Sequence, residues 1–275
     1  MKHDEGQSVE ERYDGLVDEA YDALDHEDYE HAVELARAAI ELLPAEADGY
    51  FVAGLAFFDL GEFTSALEYL SEAAERSRED PVIRTYEGAT RFALGEEDAA
   101  ENLLRSAIRD DPESTDARYW LSMVVERRGR YGEADALLAD CARLDPEHHH
   151  LPYRMRREDL ERDLEGVLHE LPPAIAAVLR DVPIMIEDLP SKEMLAGPEP
   201  LAPDILGLFA GAARPETSVF DPTTGPTAVY LFQRNLERIA ASRDDLLEEA
   251  RITLVHEIGH YLGLDEDELA DRGLD

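Results

Sequence analysis

The chain is nearly without lysine: Lys2 and Lys192 stand alone, and arginine supplies the rest of its 26 basic residues. Set against 64 aspartates and glutamates, these leave a net charge of -38. A surface of that sign repels phosphate backbones and anionic bilayers, which excludes nucleic acid and membrane as partners. One cysteine, Cys141, cannot close an internal disulfide, as is usual in a reducing compartment. No apolar run approaches the roughly eighteen residues of a membrane span. The stretch from Met1 to Arg12 is charged and polar, with no apolar core that could act as a signal peptide. The expected location is therefore the cytoplasm.

Two readings account for the acidity. One is a solvated acidic surface in an arginine-favouring genome. The other is adaptation to a salt-rich cytoplasm, where ions screen the self-repulsion of the folded chain.

A hydrophobic content of 44% argues against wholesale disorder, and 275 residues suffice for two modest domains. The first half repeats itself every 34 residues. Gly61, Gly95 and Gly129 keep that spacing, with Glu27 in the same register. Ala32, Ala66, Ala100 and Ala134 keep it too, as do Ala39, Ala73, Ala107 and Cys141. A further small row runs through Ala20, Gly54, Gly88 and Ser122. Aromatics stand at Tyr29, Phe63 and Tyr131, where the third unit has Glu97 instead. Pro44, Pro112 and Pro146 close three units, while Pro81 sits three residues late.

Small residues let two helices approach, glycine breaks the first, and proline ends the second. The pattern resembles the tetratricopeptide repeat, with about four units over residues 13–147 after a disordered 1–12. The resemblance implies an α-solenoid whose concave face binds a protein partner; a self-packing or dimerising spacer fits the same pattern. Cys141, in an alanine row, reads as a packing residue and not a nucleophile. Residues 148–155, with His148, His149 and His150, read as a solvated connector, since three adjacent histidines cannot all face one ion on regular structure.

From 156 to 275 the register is lost. Arg156 to Leu179 reads as helix broken at Pro172-Pro173. Val182 to Glu187 and Ala228 to Phe232 read as strands, and Leu206 to Gly211 as a strand or tight apolar turn. Helical patterning flanks these runs, which predicts a small α+β domain. Ser242 with Asp245 signals the start of a last long helix, in which Leu247, Ala250, Leu254, Ile258 and Tyr261 mark the packed face. Gly263 is its natural stop.

That helix carries His256-Glu257-Ile258-Gly259-His260. Histidines four apart lie about one turn apart on one face, a separation suited to two ligands of a tetrahedral zinc. Glu257, between them in sequence, is placed to take a proton from water as it attacks a carbonyl and to return it to the leaving amine. The bland alternative is a pair of exposed histidines on a surface helix. The capped helix, the glycine three residues after His260 and the acidic cluster beyond it argue against that.

Metzincins resemble this spacing, HExxHxxGxx followed by a third ligand, and the matching place here is Glu266. Asp265, Asp267 and an upstream residue remain alternatives, and Asp265 with Glu268 could instead cap a short final helix. Residues from about Leu171 to Leu274 resemble the minimal zincin-like metallopeptidases. The matching stretches are Pro183–Pro190, Asp204–Gly211, Ala228–Glu237 and Thr253–Glu268. The resemblance implies a compact zincin fold with its metal site on the active-site helix. Tyr230 and Arg234 could supply oxyanion donors but are not assigned that role.

The expected protein is thus a TPR-like solenoid followed by a zincin-like domain. It would act as a zinc-dependent peptidase on a peptide or protein substrate, with His256, His260 and Glu266 on the metal and Glu257 as base. The alternative is a non-enzymatic adaptor whose zincin-like domain serves as scaffold.

Overall fold

The computed structural model describes residues 8–171, 173–196, 201–211 and 227–262. Contacts divide the chain into two compact units, Met1–His149 and His150–Asp275.

The first unit is a row of antiparallel helix pairs: α1 (Val9–Asp25) with α2 (Tyr29–Leu42), α3 (Asp48–Asp59) with α4 (Phe63–Arg76), α5 (Pro81–Ala93) with α6 (Glu97–Asp110), and α7 (Thr115–Arg127) with α8 (Tyr131–Leu144). Helices α1, α3, α5 and α7 also touch in succession and so form one layer of the array. The turn inside each pair is left-handed. Gly61, Gly95 and Gly129 have φ of 73°, 79° and 72°, and Glu27 adopts φ 60° in the same place despite its side chain. The small rows explain the close approach: a Cβ on Gly54 would lie 2.6 Å from Cγ of Leu70. Helices α2, α6 and α8 each end two residues before Pro44, Pro112 or Pro146, as the sequence predicts. Pro81 instead opens α5, where it lacks only an N–H the helix would leave unbonded, and Asp80 caps the next two amides.

Cys141 is 1% exposed, and burial pushes its thiol up to about 11, in keeping with a packing role. His148 is exposed and hydrogen-bonds Asp145 through Nδ1 at 2.9 Å.

The second unit opens with an extended segment, α9 (Arg157–Glu170) and α10 (Pro173–Val178), then β1 (Ile184–Glu187), α11 (Lys192–Leu195), β2 (Gly207–Ala210), β3 (Ala228–Phe232), α12 (Gln233–Ile239) and α13 (Arg243–Tyr261). The sheet order is β1-β3-β2, with β1 parallel and β2 antiparallel to β3. Val229 and Leu231 of β3 are wholly buried and share one hydrophobic core with Leu160 of α9, Ile175 of α10, and Leu254 and Ile258 of α13. Alternation therefore turns one sheet face to the helices and sets Met185, Tyr230 and Leu208, aligned across the strands, on the other.

Polar side chains of α12 fasten the neighbouring chain. Asn235 Nδ2 donates to the carbonyls of Pro203 and Ile205, at 3.2 and 2.7 Å, just ahead of β2. Buried Glu237 accepts from the Met155 amide and from Arg154, both at 3.0 Å, and the Tyr153 amide donates to the Ala240 carbonyl. The connector expected over 148–155 is thus divided: Tyr153 to Met155 are bonded into the second unit, because backbone groups that close to a core find partners there.

Candidate metal centre

Helix α13 begins where the capping signal lies, with the Asp245 amide donating to Ser242 Oγ at 3.2 Å. Leu246, Ala250, Leu254 and Ile258 are fully buried and hold it on the sheet. Its outer turns then cross β2, an edge strand, and the crossing is close. A Cβ on Gly207 would stand 2.5 Å from Cγ2 of Thr253, 2.9 Å from the carbonyl oxygen of Tyr230 and 3.4 Å from Cγ of Glu257. Only glycine leaves room for the helix here.

The register explains what the strand offers to that helix. The amide of Phe232 donates to the carbonyl of Leu206 at 2.8 Å, so Leu206, Leu208 and Ala210 direct their backbone groups at β3. Gly207 and Phe209 direct theirs outward. The outward amide of Phe209 donates to Oε2 of Glu257 at 2.8 Å. The ring of Phe209 stacks on Tyr261, centroids 4.3 Å apart and planes 21° from parallel. Thr253, Glu257 and Tyr261 thus form one stripe, four residues apart, that grips the strand. Thr253 Oγ1 turns back to the Glu249 carbonyl at 2.7 Å.

His256 is half-buried, beside this stripe. His260 is described by its backbone, which places it one helical turn further on. Both belong to the last two turns of α13, the end at which the helix dipole favours a cation. Gly263, Asp265, Glu266 and Asp267 lie outside the described residues, so the expected third ligand does too. Tyr230 is separated from the stripe: its neighbours Val229 and Leu231 face the helices, which turns Tyr230 to the opposite sheet face. Arg234 is the second residue of α12, its amide bonded to the Asp188 carbonyl at 3.0 Å.

Sequence reasoning missed Gly207, Thr253 and the Phe209 amide. A glycine within an apolar strand pattern was the one available sign, since such a glycine often marks a close backbone approach.

A helical-hairpin array in one unit, and a small sheet with a histidine-bearing helix in the other, define the class. Residues 17–81 and 91–154 match two families of tetratricopeptide repeat, and residues 179–274 match the zincin-like metallopeptidases. The chain therefore joins tetratricopeptide repeats to a zincin-like domain. Comparison with curated proteins gives no match. Similar solved structures include YrrB, a TPR protein with an unusual peptide-binding site, at 22% identity and TM-score 0.41 over 48% of this chain and 69% of that one. PilF of Pseudomonas aeruginosa is 19% identical, with TM-score 0.48 over 52% of this chain and 65% of its own. A thermophilic TPR protein of Thermus thermophilus is 23% identical, with TM-score 0.45 over 52% of this chain and 76% of its own.

The zincin-like match implies a metal ion. The donors on α13 fit one: a half-buried imidazole at position 256, a second histidine one turn on, and between them in sequence a carboxylate bonded to the strand. Among the described residues no helix is long and apolar enough to cross a membrane.

Proposed function

We propose that the chain is a zinc-dependent peptidase whose repeats recruit a protein substrate or partner. The observation that carries this reading is the hydrogen bond from the Phe209 amide to Glu257. A carboxylate on a solvated helix would rotate freely; this one is fixed on the histidine-bearing helix by its bond to the strand. A purely structural metal site has no need of such a group.

His256, His260 and Glu266 would hold the zinc. Bound zinc supplies Lewis-acid polarisation of a carbonyl and a water that ionises near neutral pH. The chain's own part is then threefold. Glu257 accepts the proton of the attacking water and returns it to the departing amine nitrogen. The Phe209 amide keeps the carboxylate in place through both transfers. The stacked Phe209 and Tyr261 rings hold the strand against the helix beside that bond.

The reading is tested by metal removal. Turnover of a mixed peptide library should vanish after chelation and return on adding zinc back. Zinc retained by the purified chain without turnover of any library peptide favours the adaptor reading instead.

A further inference from the structure

The layer formed by α1, α3, α5 and α7 carries a run of aromatic rings that crosses unit boundaries. Tyr86 of α5 meets Phe51 and Phe58 of α3 edge-on, at centroid distances of 5.7 and 6.5 Å. Phe58 meets Trp120 of α7 at 5.5 Å, and Trp120 meets Tyr119 at 5.8 Å. Phe58, Tyr86 and Trp120 are half-buried, and Tyr21 on α1 is 37% exposed. The run is therefore open along one side.

Carboxylates are threaded through these rings. Asp116 and Asp59 both lie in the field of the Tyr86 ring. Burial and these two aspartates push the Tyr86 phenol up to about 12. Burial, then Asp48 and Asp80, does the same to Tyr21. Asp59 is the last residue of α3, the end where a helix disfavours negative charge, and α3 has no basic residue in its last turn. Desolvation raises its carboxyl above the usual range, with no cation acting against the shift. Its charge thus stands at a helix end that does not favour it.

The array's cations are directed elsewhere. Helix α3 has none. On α5, Arg84 is bound to Ser106 and Asp110, and Arg91 to Glu87 and Glu96. On α7, Arg118 is spent on the carbonyls of Ser114 and Pro112, and Arg127 stands 3.7 Å from Glu97. With the arginines of α5 and α7 so engaged, the rings of this layer lie among carboxylates, a lining that complements cations both by charge and through the ring faces.

We propose that this face binds a peptide segment in which arginine or lysine side chains alternate with apolar or aromatic ones. The proposal rests on the array being the recruiting half of the chain, and it names the chemistry recruited. Apolar residues of the segment would lie on Phe58, Tyr86 and Trp120, and its cations would meet Asp59, Asp116 and Asp48.

The test uses the full chain carrying Glu257→Gln, so that no probe is cut. Three labelled peptides of equal length, repeating Arg-Leu-Tyr, Ser-Leu-Tyr or Glu-Leu-Tyr, are titrated by fluorescence anisotropy. The arginine peptide should bind more than about 10-fold tighter than the glutamate one, by a margin that narrows in high salt. Asp59→Asn with Asp116→Asn should weaken it about 10-fold or more, and Asp59→Asn alone, an exposed change that relieves α3, should weaken it in the same direction. Glu41→Gln with Glu75→Gln removes as much charge from α2 and α4 and should change it less than about 2-fold.

Equal binding of the glutamate peptide overturns the proposal. So does unchanged affinity in the Asp59 variants, or an equal loss in the Glu41 and Glu75 control. If no peptide binds while the parent chain still cleaves with zinc, this proposal falls and the peptidase reading stands. Charge-selective binding without any cleavage supports this proposal and removes the other.

Discussion

The Phe209 amide donates to Oε2 of Glu257 at 2.8 Å across 48 residues of sequence, and so ties the edge of the sheet to the histidine-bearing helix. Because this N–H points away from β3, proline at 209 would remove that bond and leave the ladder intact. Phe209→Pro and Phe209→Ala both lose the ring on Tyr261, but only the first loses the donor. Hydrogen bonds to charged groups contribute about 1.5–3 kcal/mol. The proline variant is therefore expected to cleave at least about 10-fold more slowly than the alanine one, with zinc content unchanged in both. Equal rates in the two variants would mean that the amide does nothing for Glu257.

Gly207→Ala places a methyl 2.5 Å from Thr253 Cγ2 and 2.9 Å from the Tyr230 carbonyl. Overpacking of this kind costs about 1–3 kcal/mol, and here it pushes α13 away from β2. Thermal unfolding should show a lower Tm and assays a lower turnover. Thr253→Ser removes the nearer clash while keeping the hydroxyl, so it should restore part of both. A harmless Gly207→Ala would mean that helix and strand are further apart than described.

In the array, Glu101 gathers Arg130, Arg105 and Arg128, at 2.6, 2.9 and 2.7 Å, with its side chain 13% exposed. The bond from Arg130 foremost, then that from Arg105, outweighs desolvation and lowers its pKa to about 2. The folded value lies below the unfolded one, so the stabilisation is complete above about pH 4.5 and is lost as pH falls toward about 2. Glu101→Gln should cost about 1–3 kcal/mol in urea unfolding at pH 7. The gap between parent and variant should close on acidification to pH 2, and a pH-independent gap would contradict this origin.

A net charge of -38 on one chain produces self-repulsion that salt screens. Tm is expected to climb steeply from low to molar KCl, even though the Glu101 network weakens over the same range. A flat response would leave the arginine-favouring genome as the whole explanation of the acidity.

The array was legible because one period governs small residues, turns and helix ends together. Glu27 shows how far this reaches: it keeps the glycine register and adopts the glycine backbone, φ 60°. Glu97 stands where other units have an aromatic and was legible only as a weak spot. In the fold it lies 3.7 Å from Arg127 and 3.6 Å from Arg128, so ion pairs replace ring packing at that joint. In the second unit β3 spans the run foreseen, Ala228–Phe232, and the cap at Ser242 forms. What escaped depends on pairing between distant segments. No local pattern says that β2 is an edge strand, that its Phe209 amide meets Glu257, or that alternation turns Tyr230 away from α13. The bond that joins Met155 to the second unit is of the same kind, since Glu237, which accepts it, lies 82 residues later.

The most direct test compares the parent chain with Glu257→Gln for zinc content and peptide turnover in one preparation. Glutamine keeps an oxygen for the Phe209 amide but cannot carry a proton. Stoichiometric zinc in both proteins, with cleavage confined to the parent, is the expected result. A parent chain that purifies without zinc in the absence of chelators, or a glutamine variant that cleaves as fast as the parent, would contradict it.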